Sequence, residues 1–173
     1  MITITTATKQ DIPNILALVD DVYTALPNKT WFSRDKDENL ATYIIKEGFA
    51  LKAECDNTLV GIFIVRNKNL GDENLGHELN LDEAELSHVA HMEVAMVRKE
   101  WRGHSLQQQM MEQAEDILRG QNYYHLLGTA HPDNAPSVNT FLKLHYEKIS
   151  EKIKYGGLPR CIFYKNLNNH LND

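Results

Sequence analysis

A chain of 173 residues, 42% of them apolar, is long enough to fill one hydrophobic core, and a single domain over residues 1–173 is expected. A formal charge of −6 argues against nucleic acid as the main partner, because phosphate backbones are bound by basic surfaces, and makes a cationic or neutral substrate the better expectation. No apolar run approaches the roughly 18 residues of a membrane span, and the start "MITITTATKQ" lacks the basic and apolar regions of a signal peptide, so a cytoplasmic protein with no membrane partner is expected.

"ITITTA" (2–7) alternates as a strand does, and "TKQDIPNILALVDDVYTAL" (8–26) carries Ile12, Ile15, Leu16, Val19, Val22 and Tyr23 at helical spacing, with Thr8 and Asp11 as caps. "DENLATYIIKEG" (37–48) reads as a second helix stopped by Gly48. "FALKAEC", "DNT" and "LVGIFIVRN" (49–67) read as strand, turn and strand. Residues 67–87 form a polar connection with a short helix at "LDEAEL"; its acidic residues, Asp72, Glu73, Glu78, Asp82, Glu83 and Glu85, are either ordinarily solvated or recruit a cationic acceptor.

"HVAHMEVAMV" (88–97) is an apolar strand interrupted by His88, His91 and Glu93. Leu106, Met110, Met111, Ala114, Ile117 and Leu118 make one face of the following helix, which Gly120 closes. "YYHLLGTAH" (123–131) is another strand, "APSVNTFLKLHY" (135–146) another helix, and "KISEKIKY", "GGLP" and "RCIFYKNL" (148–167) a final hairpin; "NNHLND" (168–173) is expected to fray. The predicted fold is α/β (α+β), with a mixed, mainly antiparallel sheet of about six to seven strands flanked by about four helices. Cys55 and Cys161 lie inside strand-like stretches and read as small buried hydrophobes.

The stretch "VAMVRKEWRGHSLQQQMM" (94–111) changes from strand rhythm to helical rhythm at Arg102 and Gly103. The first N–H groups of a helix lack partners within it and the macrodipole adds partial positive charge, so such a turn can hold a phosphate. Arg102 adds a forked, charged donor, and Gly103 lets a ligand approach the backbone. The same pair also suits an ordinary turn with a surface charge.

Residues 93–118 resemble the acetyl-CoA-binding motif of the GNAT family, the Gcn5-related N-acetyltransferases. In that motif an apolar strand ending in Val, a short polar link and an aromatic precede Arg-Gly-x-Gly-x-Gly and a helix; the matching positions are Val97, "RKE", Trp101 and "RGHSLQ". "HPDNAPSVNTFLKLHYE" (131–147) is similar to the family's downstream segment, an Asn followed by a helix ending in a Tyr-x-Lys-x-Gly-Phe pattern, and the order of elements along nearly the whole chain is also similar.

The resemblance implies an N-acetyltransferase with acetyl-CoA as cosubstrate and no metal. It implies that the backbone of Arg102, Gly103, His104, Ser105, Leu106 and Gln107 holds the CoA pyrophosphate, that Met96 and Val97 line the pantetheine arm, and that Asn134 contacts the cofactor across the cleft. Ser105 and Gln107 replace the second and third glycines, and their Cβ atoms crowd the phosphates unless Ser105 donates its hydroxyl or caps the helix. Phe141, also at the cofactor, stands where many relatives carry a Tyr that protonates the leaving thiolate. Water or another Tyr, such as Tyr146, must then supply that proton. His145 replaces a Gly at a helix end, where a positive φ is expected.

An alkyl ammonium with a pKa of about 10.4 must lose a proton before attacking a thioester. Glu93 is the candidate base: a lone Glu in an apolar strand is costly unless paired or facing a cleft, and burial is expected to raise its pKa. Many family members carry a base Glu four residues before the position of Val97. A solvent-facing or Arg-paired Glu93 is the alternative. His91 shares a strand face with Glu93 and is expected to form a proton relay or a substrate-binding pair with it. His88 and His91 point to opposite faces and make no metal pair, and His125 and His131 read as structural. Trp31 and Phe32 lie where family members often shape the acceptor pocket.

The expected activity is transfer of an acetyl group from acetyl-CoA to a primary amine on a small molecule or peptide. The alternative is a catalytically impaired acyl-CoA-binding or regulatory module of the same fold, suggested by Phe141 and the two lost glycines. The final hairpin presents an edge strand on which a homodimer can form.

Overall fold

The computed structural model describes residues 1–68 and 71–170. Strands β1 (Ile2–Thr6), β2 (Gly48–Cys55), β3 (Thr58–Arg66), β4 (Val89–Val97), β5 (His125–Ala130), β6 (Glu147–Lys154) and β7 (Leu158–Asn166) form one sheet in the order β1-β2-β3-β4-β5-β7-β6. Every pairing is antiparallel except β4 with β5. Helices α1 (Ile12–Thr24), α2 (Asp37–Ile45), α3 (Glu83–Leu86), α4 (Leu106–Gly120) and α5 (Ala135–Lys143) complete it, the four-residue α3 being the short helix expected at "LDEAEL". Of the segment expected to fray, residues 168–170 belong to a 3₁₀ turn, Leu167–His170, and residues 171–173 lie outside the described residues.

The helical stripes read from the sequence are the faces that pack. Ile15, Leu18, Val19 and Val22 of α1, with Leu40 and Ile44 of α2, close over Ile62, Ile64, Val94 and Met96 on one face of the sheet. Leu106, Met110, Met111, Ala114 and Leu118 of α4 cover Phe63, Val65, Ala90 and Met92 on the other. The α4 face also buries Glu115, whose Oε2 accepts from Lys165 Nζ at 2.7 Å. The β2–β3 turn places Asp56 and Asn57 at φ 48° and 64°, the two left-handed residues that a two-residue hairpin loop needs. Gly48 does not stop α2, which ends at Ile45; it opens β2, where a Cβ would meet the Val65 carbonyl oxygen at 1.8 Å. His145, at the end of α5, has φ 65°, the conformation expected for the Gly position it fills.

Two irregularities position the site. Strands β4 and β5 pair over three residues only, Val89 with His125, Ala90 with Leu126 and His91 with Leu127, and beyond that point they diverge. Strand β4 is also bulged: Met92 faces Val65 and Val94 faces Ile64, so Glu93 is an extra residue with no cross-strand partner on β3. Ala90 and Met92 face α4 whereas Val94 and Met96 face α1 and α2, so the bulge reverses which parity of residue meets which layer.

Candidate active site

The wedge opened by the divergence of β4 and β5 holds three cavities in line. The first, about 520 Å³, is walled by Trp31, Asp35, Tyr43, Arg66, Glu93, Tyr155 and Arg160 among others. A narrow one of about 90 Å³ lies between β4 and β5, bounded by Met92–Met96 on one side and by Thr129, Ala130, Asn134 and Phe141 on the other. The third, about 530 Å³, runs from Ala95–Val97 past the turn at Trp101–Gly103 to the first turns of α4 and α5. Trp31 borders all three, and Glu93 borders the first two.

At the junction, Glu93 Oε2 lies 3.5 Å from His91 Nδ1 and its Oε1 3.6 Å from an Arg66 guanidinium nitrogen. His91 Nε2 accepts the Leu75 N–H at 2.9 Å, so the ring's one proton sits on Nδ1 and points at Glu93. Burial pushes the Glu93 carboxyl up, but the His91 N–H and the Arg66 charge outweigh it and hold the group below the usual carboxylate range. The expected upward shift is thus reversed, because the strand that buries Glu93 also supplies its donor. The relay expected through His91 is disfavoured for the same reason: its second nitrogen faces an N–H and has no acceptor to which a proton can pass.

Arg66 is itself anchored by Glu47, with Nε and a terminal nitrogen each 2.8 Å from Oε2, and it stacks 4.0 Å from the Tyr43 ring centroid. Burial pushes the Tyr43 phenol up to about 12, with Asp35 adding to the effect. Asp35 moves opposite to Glu93: burial raises it, and the nearby Glu93 charge raises it further. One end of the cleft therefore holds two carboxyls with different proton affinities, together with Asp72 and Glu73 from the acidic connection. Three other acidic residues of that connection are used structurally: Asp82 Oδ1 accepts from the Glu85 N–H at 2.9 Å, Glu85 takes His125 Nε2 at 2.6 Å, and Glu78 pairs with Lys152 and Lys154.

The other end carries the opposite charge. The charged residues bordering the third cavity are Arg102 and Lys143, and among its described lining residues there is no carboxylate. Gly103 has φ 84° and Ser105 φ 56°, so the chain winds into α4 through two left-handed residues; a Cβ on Gly103 would meet nothing within 4 Å, which makes the dihedral, not space, the reason for glycine. Ser105 makes no side-chain cap, contrary to one expectation, and the head of α4 keeps unpaired N–H groups of the kind that bind anions. Gln107 Nε2 reaches Ser137 Oγ at 3.4 Å, bridging α4 and α5.

Of the residues singled out from the sequence, Met96, Val97, Arg102, Gly103, Ser105, Leu106, Gln107 and Asn134 border the third cavity. Phe141 borders the narrow one, with its ring stacked 4.7 Å from Phe163. Asn134 also caps α5, its side chain accepting from the Ser137 N–H at 3.5 Å. Trp31 and Phe32 border the first cavity beside His91 and Glu93. Two residues fall elsewhere. His104 packs against Trp101 on the exposed side of the turn. Tyr146 is 2% exposed beneath α4 and borders none of the three cavities; burial pushes its phenol well up, with Glu115 adding to this, so it has no route to a leaving group in the cleft.

Sequence reasoning missed Asp35, Tyr43, Arg66, Thr129, Tyr155 and Arg160, which converge on the first cavity from α2 and the segment before it, β3, β5 and the β6–β7 hairpin. The available signals were a charge ending an apolar strand at Arg66 and one opening an apolar run at Arg160. Among the described residues, no group of three or more His, Cys, Asp or Glu side chains is arranged to hold a metal ion.

The sequence profile of the acetyltransferase (GNAT) family matches residues 15–146. No curated protein sequence matches the chain significantly. Among solved structures, an N-acetyltransferase from Staphylococcus aureus Mu50 superposes with a TM-score of 0.73 at 14% identity, covering 96% of this chain and 99% of that one. A ribosomal-protein-alanine N-acetyltransferase from Brucella melitensis gives 0.72 at 19% identity, covering 95% and 99%. The Salmonella typhimurium protein yncA, solved with its cofactor acetyl-CoA, gives 0.74 at 15%, covering 98% and 96%. At these identities the likeness is one of fold.

Proposed function

Because the chain belongs to the acetyltransferase (GNAT) family, we propose that it transfers the acetyl group of acetyl-CoA to a primary amine by direct attack within the β4–β5 wedge. The observation that carries this reading is the separation of charge along the wedge. In a chain of net charge −6, one cavity is bordered by Arg102 and Lys143 without a described carboxylate, while the other sets Asp35, Asp72, Glu73 and Glu93 against Arg66, Lys154 and Arg160. The first suits a polyphosphate and the second an ammonium, and they meet at a passage bordered by Glu93.

The N–H groups at the head of α4, with Arg102, would hold the pyrophosphate of the cosubstrate. The edge of β4 that β5 leaves unpaired, at Met96 and Val97, would align the pantetheine arm as an added strand does. When bound, acetyl-CoA supplies an acyl group on a thioester. Glu93, held ionised by His91 and Arg66, orients the acceptor ammonium and receives its proton directly or through one water; Asp35, with the higher proton affinity, is suited to hold that proton before it reaches solvent. His91 acts as a positioning residue. A thiol has a pKa of about 8.5, so the thiolate leaves without a dedicated acid, in keeping with Phe141 at a position where many relatives carry a Tyr.

The test is calorimetry with acetyl-CoA together with thiol release across a panel of amines, comparing wild type with Glu93→Gln. Binding in both, amine-dependent turnover in the wild type, and a fall in kcat of roughly 10²- to 10⁴-fold in the variant are expected. Binding with no turnover for any amine would instead favour the acyl-CoA-binding module, and no binding heat would remove both readings.

A further inference from the structure

Resting on the acetyl-transfer reading above, we infer that the acceptor is a small amine that also carries a carboxylate, of the free amino-acid class, and that Arg160 is the residue that selects it. Three cations border the acidic cavity, and two already have anions. Arg66 is clamped by Glu47 at 2.8 Å and lies within reach of Glu93 and Glu73, at 3.6 and 3.7 Å. Lys154 lies 3.4 Å from Glu78. Arg160 is 3% exposed and forms no ion pair with any described residue.

A buried guanidinium without a counter-ion is costly, and a protein that keeps one bordering a cavity gains most when a ligand brings the missing charge. Arg160 donates to two main-chain carbonyls, Pro159 O at 2.8 Å and Thr30 O at 2.9 Å, which use two of its five N–H groups and fix the plane of the fork. Burial pulls its pKa below the ordinary value, with Tyr155 opposing. Tyr155, at φ 50° in the β6–β7 turn, lies beside it, the guanidinium carbon 5.7 Å from the ring centroid. An acceptor with its ammonium at Glu93 and its carboxylate at Arg160 would complete the charge pairing of the cavity, whereas a peptide N-terminus, whose α-carboxyl is an amide, would leave Arg160 unpaired.

The experiment compares free amino acids, their α-carboxamides and the corresponding amines without a carboxyl group, for wild type, Arg160→Gln and Arg160→Lys. It reads kcat/KM for acetyl transfer and, separately, calorimetric binding of N-acetylated amino acids against their amides. In the wild type the carboxylate is expected to improve kcat/KM and product affinity by roughly 30- to 1000-fold. In Arg160→Gln that ratio falls toward one, chiefly through KM, and Arg160→Lys recovers part of it. Equal efficiency on acids and amides in the wild type would overturn the inference while leaving acetyl transfer standing, and needs no variant to fold. A preference that survives in folded Arg160→Gln would also overturn it, showing that Arg160 only tethers the Thr30 turn. Arg160-dependent binding of the acids with no transfer to any amine would refute the transferase reading, and with it the acceptor role, leaving Arg160 as a carboxylate-binding residue only.

Discussion

Glu93 is a carboxylate in a strand of Val, Ala and Met, and its two neighbours decide which way its proton affinity moves. Burial alone raises it; the His91 Nδ1–H and Arg66 bring it below the ordinary value of 4.5. A group with a depressed folded pKa contributes stability above its unfolded pKa and loses it as pH falls through the folded one. Across neutral pH Glu93 thus stays ionised, and with the ammonium as the bound form kcat/KM should be flat there, with an acid limb only below the usual carboxylate range. In His91→Phe the donor is gone and desolvation dominates, so that limb should move to higher pH in a pH–rate profile. An unmoved limb would remove His91 from its positioning role. Glu93 was legible in the sequence because a charge in an apolar strand demands an explanation. Arg66 and Arg160 were not: a charge at a strand end is ordinarily solvated, and only the folded chain shows that both are buried.

Between elements, the site depends on how closely α5 lies on β5. Gly128 makes this approach achievable: a Cβ there would meet the Phe141 ring at 2.5 Å, and that ring is also stacked on Phe163 at 4.7 Å with an interplanar angle of 3°. Gly128→Ala should therefore lift α5, cost about 1–3 kcal/mol in urea denaturation, and weaken cofactor binding through Asn134; adding Phe141→Leu should recover most of the stability. Strands, helices and their apolar faces were legible because each is written at a local period. The turn at Arg102 and Gly103 was legible through its motif. The bulge, the short β4–β5 pairing and the buried Glu115–Lys165 pair were not, because each depends on residues 27 to 50 positions apart.

For the molecule as a whole, the wedge divides the sheet into a β1–β4 half and a β5–β7 half joined by three residue pairs. A ligand that fills the wedge bridges both halves, so its binding should register as global stability. At acetyl-CoA about 100-fold above its Kd, the stabilisation of roughly 2.7 kcal/mol should raise Tm by roughly 5–10 °C, measurable by differential scanning fluorimetry. The outer strand β6 carries Lys148, Glu151, Lys152 and Lys154, charges of the sort that discourage strand addition, so an assembly of two copies through that edge is not what its surface favours. The single inserted residue in β4 does more than carry a charge. It works as a phase shifter: ahead of it even-numbered side chains plug the α4 layer, and after it the odd-numbered ones do. Excising Glu93 would set Val94 directly after Met92 in unbroken alternation, so Ala90 and Met92 would keep the α4 layer and Val94 and Met96 the opposite one, with only the bulge lost. The extra residue therefore admits a charge to the wedge from the middle of an apolar strand while every flanking side chain keeps its seat.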